Sequence, residues 1–396
     1  MADLLSLGEA IDDVLARARP LPSEDVPLGA ARGRVLAEPA RSAIDLPPFA
    51  SSAMDGFAIR SADAPGTLVV VERIAAGRPA GRALAAGEAM GIATGGVVPE
   101  GADAVVPIEN VVDHDNTVEI PSDVASGANV RPRGGDTSRG DEVVPSGTRL
   151  GAAQIGALAA AGVPNVRVAR RPRVAVLATG TELRAPGEQL APCQIFEANG
   201  VMLAAALDEY GASVDRIPPV EDDESAHRGA LERALEADVV VSSGGVSVGP
   251  HDLVRRVARE LGVEEVFWRV AVKPGKPVSF GVRDATLVFG LPGNPVSTLV
   301  GFELFVRPAL RALEGERDPG PRWELGALAR PVRRNDVRDE LVRARVRVEP
   351  EGVVLEPLIG QDSHMIARAF PAEALVLVPR GDGIVPAGAP VSYLSL

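Results

Sequence analysis

Lys273 and Lys276 share the segment Val272-Lys273-Pro274-Gly275-Lys276-Pro277, and they are the only lysines among 41 lysine and arginine residues. An ammonium is a compact point charge on a flexible stem, whereas guanidinium is a planar fork, so the two do not exchange freely at an anion site. Pro274, Gly275 and Pro277 restrict the backbone around both ammonium groups, which predicts a rigid anion-binding loop. Chance clustering of two leftover lysines is the plain alternative. The bias toward arginine everywhere else argues against it.

Three glycine-rich segments each follow a short apolar run: Thr179-Gly180-Thr181-Glu182, Ser242-Ser243-Gly244-Gly245-Val246-Ser247 and Leu291-Pro292-Gly293-Asn294-Pro295. In an open parallel sheet, ligands bind outside the carboxyl ends of the strands. Glycine lets a ligand approach the backbone there, and the amides of a following helix favour phosphate. A phosphorylated ligand is therefore expected. Glu182 and Asp252 each lie just past an apolar run, and beside a phosphate they would need a neutralising cation. Mg2+ is usually held by one or two carboxylates plus substrate phosphates. Ordinary helix-start charge for Asp252 and a solvated loop for Glu182 explain the same residues equally well.

Other polar segments carry less. Asp55 in SSAMDGFA, Asp136 in RPRGGD, and Ser363 and His364 in GQDSH each read alone as turns or polar loops. Arg343, Arg345 and Arg347 alternate with Val342, Ala344, Val346 and Val348, which predicts a strand with a solvated arginine face.

The elements that must position these residues change character along the chain. Ser6-Leu7-Gly8-Glu9 is a capping-box pattern opening a helix to about Arg19, stopped by Pro20. From Pro47 to Arg139, short Val/Ile runs at 68–71, 104–108 and 118–120 predict a β-rich module. A helix over 152–161 is closed by Gly162. From Pro172, buried strands at 174–177, 239–241 and 286–289 alternate with helices, one capped by Asn199 and one running over about 296–313. That alternation predicts a parallel α/β sheet covered on both faces. After Pro319 and Pro321 the chain returns to strands and closes a small β domain.

Composition narrows the class. The chain has 396 residues and 46% hydrophobic content, enough for several domains with real cores. Aromatics are only 3%, so those cores are expected to be built from Val, Leu, Ala and Ile. A net charge of −13 with no basic run argues against nucleic acid as a partner. Cys193 stands alone and the four histidines show no ligand spacing, which excludes an intrachain disulfide and a cysteine-rich zinc site. An acidic, amphipathic start and no apolar run of about 18 residues predict a cytoplasmic protein with no signal peptide and no membrane span.

The ordered set SAMDGFA, RPRGGDTSRGD, LATGTEL, SSGGVSVGPHD, VKPGKP, LPGNPVS and GQDSH resembles the molybdopterin molybdenumtransferases, the molybdenum-cofactor insertases that include the E domain of gephyrin. The resemblance spans residues 52 to 364. It implies four domains: a helical/linker domain at 1–46 with 139–171, a β-rich domain at 47–138, a molybdopterin-binding-like parallel α/β domain at 172–318, and a C-terminal β-barrel at 319–396. It further implies insertion of molybdate into adenylylated molybdopterin with release of AMP, in a homodimer whose site lies at the subunit interface. Transient contacts with the adenylyltransferase and with cofactor-accepting enzymes belong to the same expectation.

By the same resemblance, Glu182 and Asp252 would hold Mg2+, while Thr181, Gly244, Gly245 and Ser247 would bind the nucleotide. Lys273, Lys276, Pro277, Ser297, Arg343 and Ser363 would bind molybdate, with Arg345 an alternative to Arg343. Asp55 and Asp136 match acidic positions that would act beside Glu182 and Asp252 in catalysis. Two other activities share the central α/β motifs: adenylylation of molybdopterin, and non-catalytic binding of molybdopterin by a scaffold.

Overall fold

The computed structural model describes residues 4–75, 77–221, 223–245 and 253–396. They divide into two compact units. One comprises Asp25–Arg32 and Glu38–Val168; the other comprises the chain up to Glu24, Gly33–Ala37 and Ala169–Leu396.

The first unit is built on a mixed six-stranded sheet in the order Ala104–Pro107, Gly56–Ile59, Glu88–Ile92, Gly66–Ile74, Thr117–Ile120, Val112–Asp113. Its short Val/Ile strands alternate sides, as period-two side chains must. Phe57, Ile59, Leu68, Val106 and Val118 fill one buried cluster, and Ala58, Met90, Ile92 and Val105 fill the other. A helix spans Ala152–Ala160, and Gly162 beyond it takes a left-handed conformation at φ 75°.

The second unit holds the α/β domain. Its strands are β1 (Arg173–Thr179), β2 (Ser213–Val220), β3 (Val239–Ser243), β4 (Glu264–Trp268), β5 (Ser279–Arg283) and β6 (Thr286–Leu291), in the sheet order β2-β1-β3-β6-β5-β4. β2, β1, β3 and β6 are mutually parallel, while β5 and β4 run antiparallel at the far edge. Helices α1 (Asn199–Tyr210), α2 (Glu224–Ala234) and α3 (Leu253–Glu260) connect successive strands, as parallel crossovers require. From Pro295 the chain runs as helix to Gly301, as a π-helical turn over Phe302–Val306, and as helix again to Leu313.

Asn199 does not cap α1. Ala198 is the capping residue, and the buried carboxylate of Glu197 accepts the Gly200 N–H at 2.5 Å. The few aromatics concentrate at one edge of the sheet, where Phe267, Phe280, Phe289 and Phe305 form ring pairs with centroids 5.0–6.2 Å apart. Each such pair contributes about 0.5–1.5 kcal/mol beyond its buried area.

The N-terminal helix forms over Leu7–Arg17 with the capping box intact. Its buried Leu7, Ala10 and Val14 pack into the same core as Val174, Phe302 and Leu310.

The tail domain contains β7 (Glu324–Leu328), β8 (Asp339–Glu349), β9 (Gly352–Pro357), β10 (Ala374–Val378) and β11 (Pro390–Ser395), closed into a barrel because β8 pairs with both β9 and β10. Barrel closure buries Val342, Ala344, Leu355 and Val376 inside. On the opposite face, Leu341, Leu375 and Leu394 pack into the α/β core. The expected solvated arginine face on β8 therefore fails at its start: Arg343 is only 1% exposed, while Arg345 and Arg347 are exposed. At the other end of the strand Val348, expected on the buried face, is 84% exposed.

Candidate functional site

Between β1 and β3 the connections reverse direction, since β2 lies on one side of β1 and β3 on the other. That reversal opens a crevice at the carboxyl ends of the strands. Gly244, at φ 92°, sits so close to β1 that a Cβ there would lie 2.8 Å from the Thr179 carbonyl oxygen. Gly245 also has positive φ, at 65°. Both positions need glycine for their conformation and for space, since a Cβ on Gly245 would lie 2.5 Å from Val254 Cγ2. Asn199, at the start of α1, donates from Nδ2 to Ser243 Oγ at 2.8 Å and to the Gly293 carbonyl at 2.7 Å. One amide thus joins two of the three predicted loops.

Thr181 and Glu182 lie on the exposed loop after β1. The Glu182 carboxylate folds back over Gly180, where a Cβ would lie 2.6 Å from Oε2. A short parallel pairing of Leu183–Arg184 with Ile195–Phe196 anchors this loop. Ser247 and Asp252 lie outside the described residues.

A second concavity, of about 330 Å3, lies where the α/β and tail domains meet inside the second unit. The loop Lys273–Pro277 supplies one wall; Pro292, Asn294 and Ser297, after β6, supply another; Arg338 and the loop Gln361–Ser363 come from the tail domain. Backbone pairing explains the assembly. Val272 and Lys273 add a short parallel strand to β8, with Lys273 in register with Glu340. Asn294 Nδ2 donates to Ser363 Oγ at 2.8 Å, and the Val296 N–H donates to the Ser363 carbonyl at 3.1 Å. A Cβ on Gly275 would come within 3.8 Å of the Ser297 carbonyl.

The two lysines are not equivalent. The Lys273 ammonium forms an ion pair with Glu340 at 3.0 Å, while Lys276 is exposed and its ammonium has no hydrogen bond or ion pair to any described residue. The structure thus brings together Lys273, Lys276, Pro277, Ser297 and Ser363.

Arg343 does not line the pocket. Its Nε donates to Gln361 Oε1 at 3.2 Å, and its Nη2 donates to the carbonyls of Gly360 and Asp362 at 2.9 and 3.3 Å. Burial lowers its pKa and the Asp362 carboxylate opposes that shift, leaving a guanidinium that stays charged. It fastens the loop carrying Ser363.

Asp55 and Asp136 belong to the first unit, and both are exposed. The strand pair Ser51–Ser52 with Val130–Arg131 brings their two motifs side by side. The Thr94 N–H, 2.6 Å from Asp55 Oδ1, and then the Thr94 hydroxyl hold the Asp55 carboxyl below its usual range. Gly56 follows Asp55 because a Cβ there would meet the Val106 carbonyl oxygen at 2.0 Å.

Residues 5–162 match the MoeA N-terminal region (domain I and II), 175–312 a probable molybdopterin binding domain, and 326–396 the MoeA C-terminal region (domain IV). A molybdopterin molybdenumtransferase of Staphylococcus epidermidis is 31% identical over 385 residues, covering 95% of this chain and 92% of its own. The chain belongs to the molybdopterin molybdenumtransferase (MoeA) family. A further MoeA-family relative, from a Nostoc species, is 40% identical over 304 residues, covering 74% of this chain and 70% of that one. A crystal structure of the Pyrococcus horikoshii MoeA protein aligns over 99% of both chains with a TM-score of 0.82 at 32% identity.

The MoeA fold confirms the multidomain architecture read from the sequence: a β-rich N-terminal region, a central α/β domain and a closed C-terminal barrel. Within this MoeA-family chain, sequence reasoning missed Arg338 at the lysine pocket and Glu340 as the partner of Lys273, and it marked the segments of Asn294 and Gln361 without assigning those two residues to the pocket. Arg338 and Glu340 give no local signal, because pairing of their strand with Val272 and Lys273 is what brings them there. Among the described residues, no helix is long and apolar enough to cross a membrane.

Proposed function

We propose that this chain inserts molybdate into adenylylated molybdopterin, releasing AMP and molybdenum cofactor, in the cytoplasm. The observation that supports this most directly is the pocket in which Lys273, Lys276, Ser297 and Ser363 meet beside the loop after β6. Ammonium and hydroxyl donors suit a compact tetrahedral dianion. The adjoining glycine loops, fastened by Asn199, suit a nucleotide phosphate. An oxyanion pocket next to a phosphate crevice is what insertion coupled to adenylate cleavage requires. Because Ser363 and Arg338 come from the tail domain, the pocket favours insertion over adenylylation by an α/β domain alone.

Mg2+ belongs to this proposal, with Glu182 and Asp252 as its protein ligands. The exposed Glu182 carboxylate has no ion-pair partner among the described residues, and no group of three or more His, Cys, Asp or Glu ligands occurs among them. That fits Mg2+, which takes few protein carboxylates and completes its shell with phosphate and water. When bound, it supplies charge stabilisation at a phosphoryl oxygen. The chain's own residues orient and neutralise the two anions. Gly244 and Gly245 offer close backbone approach to phosphate, Lys276 and Lys273 face the oxyanion, and Pro277 stiffens their loop. Asp55 and Asp136, each exposed, are proposed to act as polar catalytic groups in the homodimer. Handover from the adenylyltransferase and to cofactor-accepting enzymes completes the proposal.

Purified protein given adenylylated molybdopterin, Mg2+ and molybdate should release AMP and yield cofactor that reconstitutes an apo-enzyme. No AMP release under these conditions would sink the proposal. Light scattering at several concentrations tests the homodimer.

A further inference from the structure

We infer that the lysine pocket takes its oxyanion together with one proton, shared between an oxyanion oxygen and the Asp362 carboxylate. The inference rests on the proposed oxyanion site and specifies the form in which that substrate is held. Asp362 lines the pocket, and no described residue hydrogen-bonds or ion-pairs its exposed carboxylate. The backbone that carries it is fastened on both sides. The Asp362 carbonyl accepts the Met365 N–H at 3.1 Å and Arg343 Nη2 at 3.3 Å, and the Ser363 carbonyl accepts the Val296 N–H at 3.1 Å. Gln361 Nε2 donates to the Arg343 and Leu358 carbonyls, each at 3.0 Å. A carboxylate without a partner is thus held at the wall of a pocket that otherwise suits an anion.

Carboxylate and molybdate are both acceptors only, so in one concavity of about 330 Å3 lone pairs would face lone pairs. A single proton between them turns that repulsion into a hydrogen bond, as two anionic groups that share a site hold one proton. Carboxylic acid and hydrogen molybdate are comparably acidic, which favours sharing. The other charged or titratable groups about Asp362 are Lys273 with its partner Glu340, Lys276 and Arg338 on the pocket, Arg343 buried behind the loop, and His364 next along the chain. None of them forms an ion pair with Asp362, and Arg343 acts on it only at longer range. The proton also serves insertion. Two Mo–S bonds form and one Mo–O bond breaks. The oxygen leaves as water with the shared proton and one thiol proton, the second thiol proton passes to Asp362, and molybdenum stays hexavalent.

The test is calorimetric titration of the full-length protein with dilute sodium molybdate in two buffers of different ionisation enthalpy. At about pH 5.5 free molybdate and an ordinary aspartate are both largely deprotonated, so a proton gained on binding is visible. The native protein should take up roughly half a proton or more per molybdate bound. Uptake on binding makes affinity rise as pH falls, so Kd should drop about fivefold from about pH 7.5 to about pH 5.5. Asp362→Asn should take up none, bind at least as tightly as the native protein at the higher pH, and keep its unfolding midpoint. Asp362→Glu should retain the uptake, and His364→Gln controls for the neighbouring imidazole. Molybdate binding by the native protein without proton uptake overturns the inference and leaves the pocket standing. So does uptake that persists in Asp362→Asn or that His364→Gln abolishes. If Asp362→Asn loses binding at both pH values and unfolds more easily, Asp362 is structural and the inference is again overturned. No molybdate binding by the native protein at either pH brings down the oxyanion pocket and the inference with it.

Discussion

Lys273 and Glu340 are register partners in the short parallel pairing that joins the lysine loop to the barrel, and their side chains close a 3.0 Å ion pair. Glu340 therefore sets both the position of one pocket cation and the net charge that an anion meets. The lysine side chain is 43% exposed and the glutamate 13%, so the pair is partly screened by solvent.

Glu340→Gln should free the Lys273 charge and tighten oxyanion binding. For a partly exposed pair the gain is about 1 kcal/mol or less, roughly fivefold in affinity at low salt. Raising the salt to about 0.5 M should shrink it. Molybdate titrations at two ionic strengths check this; weaker binding at both would show that Glu340 aligns Lys273 more than it neutralises it.

Lys273→Ala should cost more oxyanion affinity than Lys276→Ala. The first removes a cation and leaves the Glu340 carboxylate unmatched near the anion, while the second removes a cation only. Adding Glu340→Gln to Lys273→Ala should recover part of the loss. Nucleotide binding, measured with AMP, should change less than twofold in all of these variants. Equal loss of both ligands would make the loop a structural element.

Arg343→Ala should destabilise the second unit by about 3 kcal/mol, because it empties the space of a fully buried side chain and leaves part-buried carbonyls of the Gly360–Met365 loop without donors. Urea unfolding followed through Trp268 and Trp323 measures it. An unchanged midpoint would contradict the fastening role.

Gly244→Ala should abolish AMP binding and spare molybdate binding. The new methyl would lie 2.8 Å from the Thr179 carbonyl oxygen, at a φ of 92° that costs a further one kcal/mol or more in strain. Parallel titrations with the two ligands separate crevice from pocket, and intact AMP affinity would move the phosphate site elsewhere.

Acid stability should depend on Asp238. Burial raises its pKa, but the two-pronged pairing with Arg170 at 2.7 Å and the Arg173 N–H outweigh that and hold it below its ordinary value. A carboxyl lowered on folding contributes its stability above the unfolded pKa of about 4 and loses it as pH falls through the folded value. Asp238→Asn should therefore lower stability at neutral pH and flatten the decline below about pH 4. Parallel stability curves for the two proteins would refute this.

The chain's local chemistry was legible because it acts over a few residues. The Ser6–Glu9 capping box, the glycine at 162, the buried parallel strands and the glycine loops are dictated by backbone conformation, hydrophobic period and short-range bonds. The order of motifs carried the family, and the rarity of lysine marked the loop. What the tertiary structure alone decided depends on segments distant in sequence. Arg343 and Arg345 read alike on β8, yet the start of that strand is clamped between barrel interior and α/β core, so Arg343 is buried and Arg345 is not. Asn199 reads as a helix cap, yet convergence of the strand ends makes it a bridge between loops. Lys273 and Lys276 look equivalent three residues apart, and strand pairing with β8 gives one of them a carboxylate and leaves the other open to solvent. Periodicity identifies a face, but only closure of the barrel against the α/β domain determines what that face meets.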